Sequence, residues 1–192
     1  MSAVTVDRGA ALKEWAAVVH ALERGAQILI LRKGGVREDG FSADTDAFYL
    51  YPTGFHQTPD KLRPEHRHLM DEALAERPPD GRASIRAAAR VIETFAIDTQ
   101  DKLRALAPEY VYTVEEILKR YEFRPGEPLT AMAVRVYRLP RAVDIAVKTK
   151  YGGCVSWIRL DDPIPTDDAT PALSDADFQR RLSRVRALLQ ST

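Results

Sequence analysis

Ala83-Ser84-Ile85-Arg86-Ala87-Ala88-Ala89-Arg90-Val91-Ile92-Glu93-Thr94-Phe95-Ala96-Ile97 is the stretch on which the fold turns. Ile85, Ala87, Ala89 and Val91 stand at every second position, the repeat of a strand. The phase then moves to Ile92, Thr94 and Ala96, one residue out of step. A bulge, which adds one residue to one strand of a pair, produces such a shift. The rival reading is an alanine-rich helix, because alanine is the strongest helix former. We read a long strand with a bulge.

The neighbouring segments support a sheet. Pro78-Pro79-Asp80-Gly81 breaks the chain before the strand, and Thr99 after it is a helix N-cap. Thr113-Val114-Glu115-Glu116 is a capping box opening a second helix. Leu129 to Leu139 alternates again, with Met132, Val134 and Val136 on one face and Arg135 and Tyr137 on the other. Upstream, Ala10 to Arg24 reads as a helix whose stripe is Leu12, Trp15, Ala16, Val19 and Leu22, stopped by Gly25. Ile28 to Leu31 is a short buried strand, and Phe48 to Tyr51 another that ends at Pro52. Pro64 opens a helix through Leu69, Ala73 and Leu74. Cys154 to Leu160 is a further strand, and Asp161 to Pro171 a linker. Ser174 with Asp177 then caps a last helix carrying Phe178, Leu182, Val185 and Leu189 on one side. Strands and helices are mixed without regular βαβ alternation. The expected class is therefore α+β, a mostly antiparallel sheet or small barrel with flanking helices and a C-terminal helix. The expected division is a core over 10–160, an acidic proline-rich linker over 161–173, and a helix over 174–192 that packs on the core or on a partner.

Composition excludes several classes. The chain has 192 residues, 45% hydrophobic and 29% charged, which suits one folded domain rather than a disordered chain. No apolar run is long enough to span a bilayer, and the first residues lack the pattern of a signal peptide. With Cys154 the only cysteine, no internal disulfide forms, and a cytoplasmic protein is expected. The 28 basic and 28 acidic residues cancel, so no overall basic field attracts nucleic acid. They are unevenly spread, however. Lys119 to Arg159 carries nine basic residues against Glu122, Glu127 and Asp144, whereas Asp161 to Asp177 holds six aspartates. Such blocks can build a local basic face or neutralise each other in space.

Several segments together resemble the bacterial domain-of-unknown-function family 1802. They are Ala11-Leu12-Lys13-Glu14-Trp15, Ile30-Leu31-Arg32-Lys33-Gly34-Gly35, Leu50-Tyr51-Pro52-Thr53 with His56-Gln57, Arg135-Val136-Tyr137-Arg138-Leu139, and Tyr151-Gly152-Gly153-Cys154 with Ser156-Trp157. The resemblance implies an uncharacterised protein, with a link to restriction–modification or nucleic-acid processing through members joined to a nuclease domain; no such domain is present here. Gly25, Gln27, Ile30 and Arg32 also fall at the spacing of the Gly-x-Lys-x-x-Glu-x-Arg pattern of ASCH and PUA-like barrels, matching it at glycine and arginine. That likeness implies a small PUA-like barrel.

The candidate binding residues are Arg32, Lys33, Tyr51, Thr53, His56, Gln57, Arg135, Tyr137, Tyr151 and Trp157. Arg32-Lys33-Gly34-Gly35 can cradle a phosphate through exposed backbone N–H groups and two cations, or be a solvated turn. Tyr51 to Gln57 can stack a base and bond its edge, or pack a barrel end. His56 is the candidate general base if the protein is an enzyme. Cys154 is a nucleophile only if a base lies near, and otherwise a buried thiol. His66 and His68, with His56, could ligate zinc, but two apart on the helix that Pro64 opens they point to different sides and no cysteine lies nearby, so no metal site is expected; no cofactor is expected either. The expected function is a nucleic-acid-binding or accessory module for single-stranded nucleic acid or a nucleotide. The alternative is a small enzyme acting on a nucleotide or modified base, its site joining His56 to Arg32 and an acid such as Glu14. A homodimer through the C-terminal helix is a third expectation; no membrane partner is expected.

Overall fold

Two long strands, β4 (Arg82–Ile97) and β5 (Leu129–Ala146), pair antiparallel and form the spine of the sheet. The coordinates are a computed structural model that describes residues 4–6, 9–33, 47–54, 57–123, 125–127, 129–153 and 155–191. Along the spine Val91 faces Val134 and Glu93 faces Ala133, which leaves Ile92 unpaired. The phase shift in the sequence is that bulge, and it turns the Ile92 side chain out to solvent. Ala87, Ala88 and Ala89 are all fully buried. Both faces are covered here, so small side chains are needed where the strand is crowded, and tertiary packing overrides alanine's helical preference.

The remaining strands are β1 (Ala10–Trp15), β2 (Leu29–Lys33), β3 (Ala47–Thr53), β6 (Trp157–Arg159) and β7 (Thr170–Pro171). Their order is β2-β5-β4-β3-β1-β6, with β7 on β5, and all pairs are antiparallel except β1 with β3. The helices are α1 (Ala16–Glu23), α2 (His68–Ala75), α3 (Gln100–Leu106), α4 (Val114–Glu122) and α5 (Asp175–Gln190). The class is α+β with an open, mostly antiparallel sheet. Although the ladder is open, the sheet curls: Arg32 on edge strand β2 reaches the Lys13 carbonyl (2.7 Å) and the Glu14 carboxylate (3.1 Å) on β1, with three strands between them in the ladder.

Four expectations are corrected. Ala10–Trp15, expected as the start of a helix, is a strand between β3 and β6; Leu12 and Trp15 at a spacing of three fit either period, and ladder pairing on both sides decides for the strand. β3 runs through Pro52 to Thr53, because β4 covers only Ala47–Tyr49, so the imide nitrogen of Pro52 costs no bond to that strand. Arg135, expected on an open face, is buried beneath α5, where it bonds the Ser174 carbonyl (3.1 Å) and Asp175 (2.5 Å) and lies over the Phe178 ring. The acidic stretch expected as a linker is fastened to the sheet. Ile164 and Thr166 are buried, the Tyr49 hydroxyl donates to the Ile164 carbonyl (2.6 Å), and the Ala172 N–H donates to Val136 (2.9 Å).

Helix ends follow their sequence signals. Thr99, Thr113 and Ser174 accept from the N–H groups of Lys102, Glu116 and Asp177. The reciprocal half of the Thr113 box is not made, since Thr113 N–H donates to Lys61 and Glu116 instead accepts from Arg120 Nε (3.2 Å). On α5, Phe178, Leu182 and Val185 face this chain's own core, with Leu188 and Leu189 partly buried against it.

Gly25 ends α1 in the left-handed region, at φ 66°. A Cβ there would lie 2.4 Å from Leu173 Cδ2. Gly25→Ala is expected to lose about 1–2 kcal/mol from the unfavourable φ and the clash. In urea titrations Leu173→Ala in the same chain should remove only the clash part; equal midpoints for wild type and Gly25→Ala would contradict this.

Candidate functional site

A cleft of about 510 Å³ opens between α1, the end of α2, the first residues of β4 and the far end of β3. Its apolar wall includes Val19, Ala73, Leu74 and Val147. Tyr51, Thr53, Gly54, Gln57, Tyr151 and Gly152 line it as well. The Tyr51 and Tyr151 rings meet edge to face at 6.1 Å, and burial raises the Tyr51 hydroxyl above its ordinary pKa. Lys13 fixes the Tyr151 segment by donating to the Tyr151 (2.9 Å) and Gly153 (2.8 Å) carbonyls. Gln57 Oε1 accepts from the Ala17 N–H (3.3 Å), tying this wall to the start of α1.

The floor carries ionisable groups. His20 and Glu23 stand three apart on α1, hence on one side of it. His20 Nε2 lies 3.8 Å from Glu76 Oε2, and Arg86 on β4 pairs with the same carboxylate. Desolvation lowers the pKa of His20 and outweighs the attraction of Glu76, so its imidazole is neutral at pH 7. Desolvation raises Glu23 from 4.5 to about 7, against the pull of Arg86. A carboxyl divided between its two protonation states beside a neutral imidazole can take up or release a proton near neutrality. Lys13, Arg77, Arg82 and Arg86 line the cleft against Glu23 and Glu76, a cationic surplus in a chain of zero formal charge.

Of the residues singled out in the sequence, Tyr51, Thr53, Gln57 and Tyr151 share this cleft. The other described ones stand apart from it. Arg32 is held by Glu14, which also accepts from the Tyr112 hydroxyl (3.0 Å) and the Trp15 N–H (2.8 Å), all within the protein's interior. Arg32 and Glu14 do meet, as an ion pair away from the cleft. Lys33 donates to the Tyr121 carbonyl (2.6 Å) and lies over its ring. Arg135 is under α5, Tyr137 pairs with β7, and Trp157 packs edge-on against Phe48 at 5.1 Å. Gln27, at the lysine position of the ASCH-like spacing, is buried and braces the Leu29 carbonyl (2.5 Å) and the Val111 N–H (3.0 Å). His56, Phe55, Gly34, Gly35 and Cys154 lie outside the described residues.

Among the described residues no three His, Cys, Asp or Glu side chains gather as for a metal ion, and no helix is long and apolar enough to cross a membrane. The sequence reading passed over His20, Glu23, Glu76, Ser84 and Arg86. The one available signal was two polar residues, His20 and Glu23, beside Val19 and Leu22 on a short helix that is buried on nearly every side.

The model of the family described as Domain of unknown function (DUF1802) matches residues 11–184. The chain belongs to that family. The match takes in every wall of the cleft, so in this DUF1802 protein the cleft lies within the family's own domain. No curated protein matches it. Among solved structures it is similar to crystal structures of ASCH from Zymomonas mobilis: one at 14% identity and TM-score 0.46, covering 92% of this chain and 96% of that one, and a mutant form at 13% and 0.46, covering 93% and 98%.

Proposed function

We propose that this DUF1802 protein binds a nucleotide, or one unpaired nucleotide of a single-stranded nucleic acid, in the cleft. The observation that carries this reading is the surplus of Lys13, Arg77, Arg82 and Arg86 around a half-apolar cavity in a chain without net charge. Cations lining the cleft attract phosphate, and its apolar lining accepts the flat face of a base. The volume of about 510 Å³ lies in the range of small-ligand sites. The link to nucleic-acid processing implied by the family resemblance fits such a ligand.

Titration at low ionic strength with mononucleotides, single-stranded oligonucleotides and duplex of the same sequence tests the reading. Mononucleotides and single strands are expected to bind, duplex far more weakly, and affinity to fall as salt rises. Arg77→Ala with Arg82→Ala should weaken binding roughly tenfold at low salt, with a smaller effect at high salt. Absence of affinity for every one of these probes overturns the proposal. A second reading, an enzyme acting on a nucleotide or modified base, is favoured by the presence of both His20 and Glu23 in the lining of the same cleft. It is tested by the mass of nucleotides recovered after incubation with the protein.

A further inference from the structure

Glu23 is 8% exposed, yet its Oε1 has no hydrogen-bond donor although the residue lines the cleft. A buried carboxyl oxygen without a donor bears its full desolvation penalty, so folds rarely leave one without a reason. The charged and titratable groups around it come from every neighbouring element: His20 and Arg24 on α1, Glu76 beyond α2, Arg86 on β4 and Arg138 on β5. Several are already engaged. Arg24 pairs with Glu72 (2.7 Å), Arg86 pairs with Glu76, and His20 faces the Glu76 carboxylate. Oε1 is thus a buried acceptor on a residue that lines the cleft, where a ligand can bring the missing donor.

We propose that the Glu23 carboxylate reads the base of the bound nucleotide by accepting a hydrogen bond from a ring N–H, which selects guanine- and uracil-type bases. Neutral guanine and uracil carry a proton on the ring nitrogen of their pairing edge. Adenine and cytosine present a lone pair there, which repels a carboxylate. This inference rests on the nucleotide reading above and names the ligand class of the same cleft. The apolar lining of Val19, Leu74 and Val147 takes the ring face, and Arg82 and Arg86 line the same cleft as partners for a phosphate.

The bond is stronger to the ionised carboxyl, so binding of the favoured bases favours loss of the Glu23 proton. His20, whose pKa burial lowers, is common to both members of each pair, so its titration largely cancels in the ratio. The probes are GMP against AMP and UMP against CMP, titrated between pH 6 and pH 8; the affinity ratio within each pair cancels the titration of the shared phosphate. The ratio is expected to rise roughly tenfold across that interval as Glu23 ionises. Glu23→Gln should weaken GMP and UMP roughly tenfold to a hundredfold at pH 8 and flatten both ratios. Equal affinity for all four at every pH, or ratios that fall with pH, overturns the inference and leaves nucleotide binding standing. No binding of any of the four overturns the nucleotide reading and this inference with it. The wild-type profile decides the matter alone if the variant does not fold.

Discussion

Glu14→Ala is expected to cost about 3–5 kcal/mol of folding stability, the largest single effect in the molecule. Glu14 is 4% exposed and holds three partners at once: Arg32 at 3.1 Å, the Tyr112 hydroxyl at 3.0 Å and the Trp15 N–H at 2.8 Å. Removing it leaves the Arg32 guanidinium charged in a largely buried site, with its Nε already lacking a partner. The loss also reaches Arg120, which lies over the Trp15 (4.8 Å) and Tyr112 (4.2 Å) rings and loses a nearby negative charge. Because the pair joins β1 to β2 across the curl of the sheet, its loss should also raise amide exchange in the edge strand β2. Replacing both partners, as Glu14→Leu with Arg32→Met, should recover most of the loss, since no buried charge is then stranded. A cost below about 1 kcal/mol for Glu14→Ala in urea titration would remove the pair from the account of how the sheet holds its shape.

That network also shows what the sequence could and could not disclose. The bulge at Ile92 was legible because alternation changes phase there, a purely local signal. The caps at Thr99, Thr113 and Ser174 were legible because a hydroxyl and an N–H three residues on meet without help from the rest of the fold. Ala10–Trp15 was not, since pairing with β3 and β6 lies outside its own periodicity. Arg135 and Tyr137 alternate with Val134 and Val136, but alternation assigns only a face, and α5 with β7 returns from nearly forty residues away to cover it. The cleft was half legible. Tyr51, Thr53 and Gln57 lie close in sequence and were found together, whereas Glu23, Glu76 and Arg86 meet only because α1 and the end of α2 close over β4. A charge that matters because it is buried and unpaired has no sequence signature of its own.

Glu23→Gln is expected to stabilise the protein at alkaline pH by about 3 kcal/mol more than it does at pH 4.5. Desolvation raises the Glu23 carboxyl from 4.5 to about 7 in the folded chain. The unfolded chain gives up this proton near 4.5, while the folded chain keeps it until about 7. The contribution of Glu23 to stability is therefore full below pH 4.5 and is lost as pH rises through 7. Glutamine has the shape of the protonated acid and no proton to lose, so the variant escapes that decline. Comparing urea midpoints of the two proteins at pH 4.5, 6 and 8 isolates the effect, because His20, Arg24, Glu76, Arg86 and Arg138 are common to both and largely cancel. A gap that stays flat across this range would mean that water or a neighbour meets the carboxylate, and the case for an acceptor held open for a ligand would fall with it. A gap that widens with pH identifies a residue that weakens its own fold at neutrality, which is the cost of keeping a buried, unpaired carboxylate at a binding site.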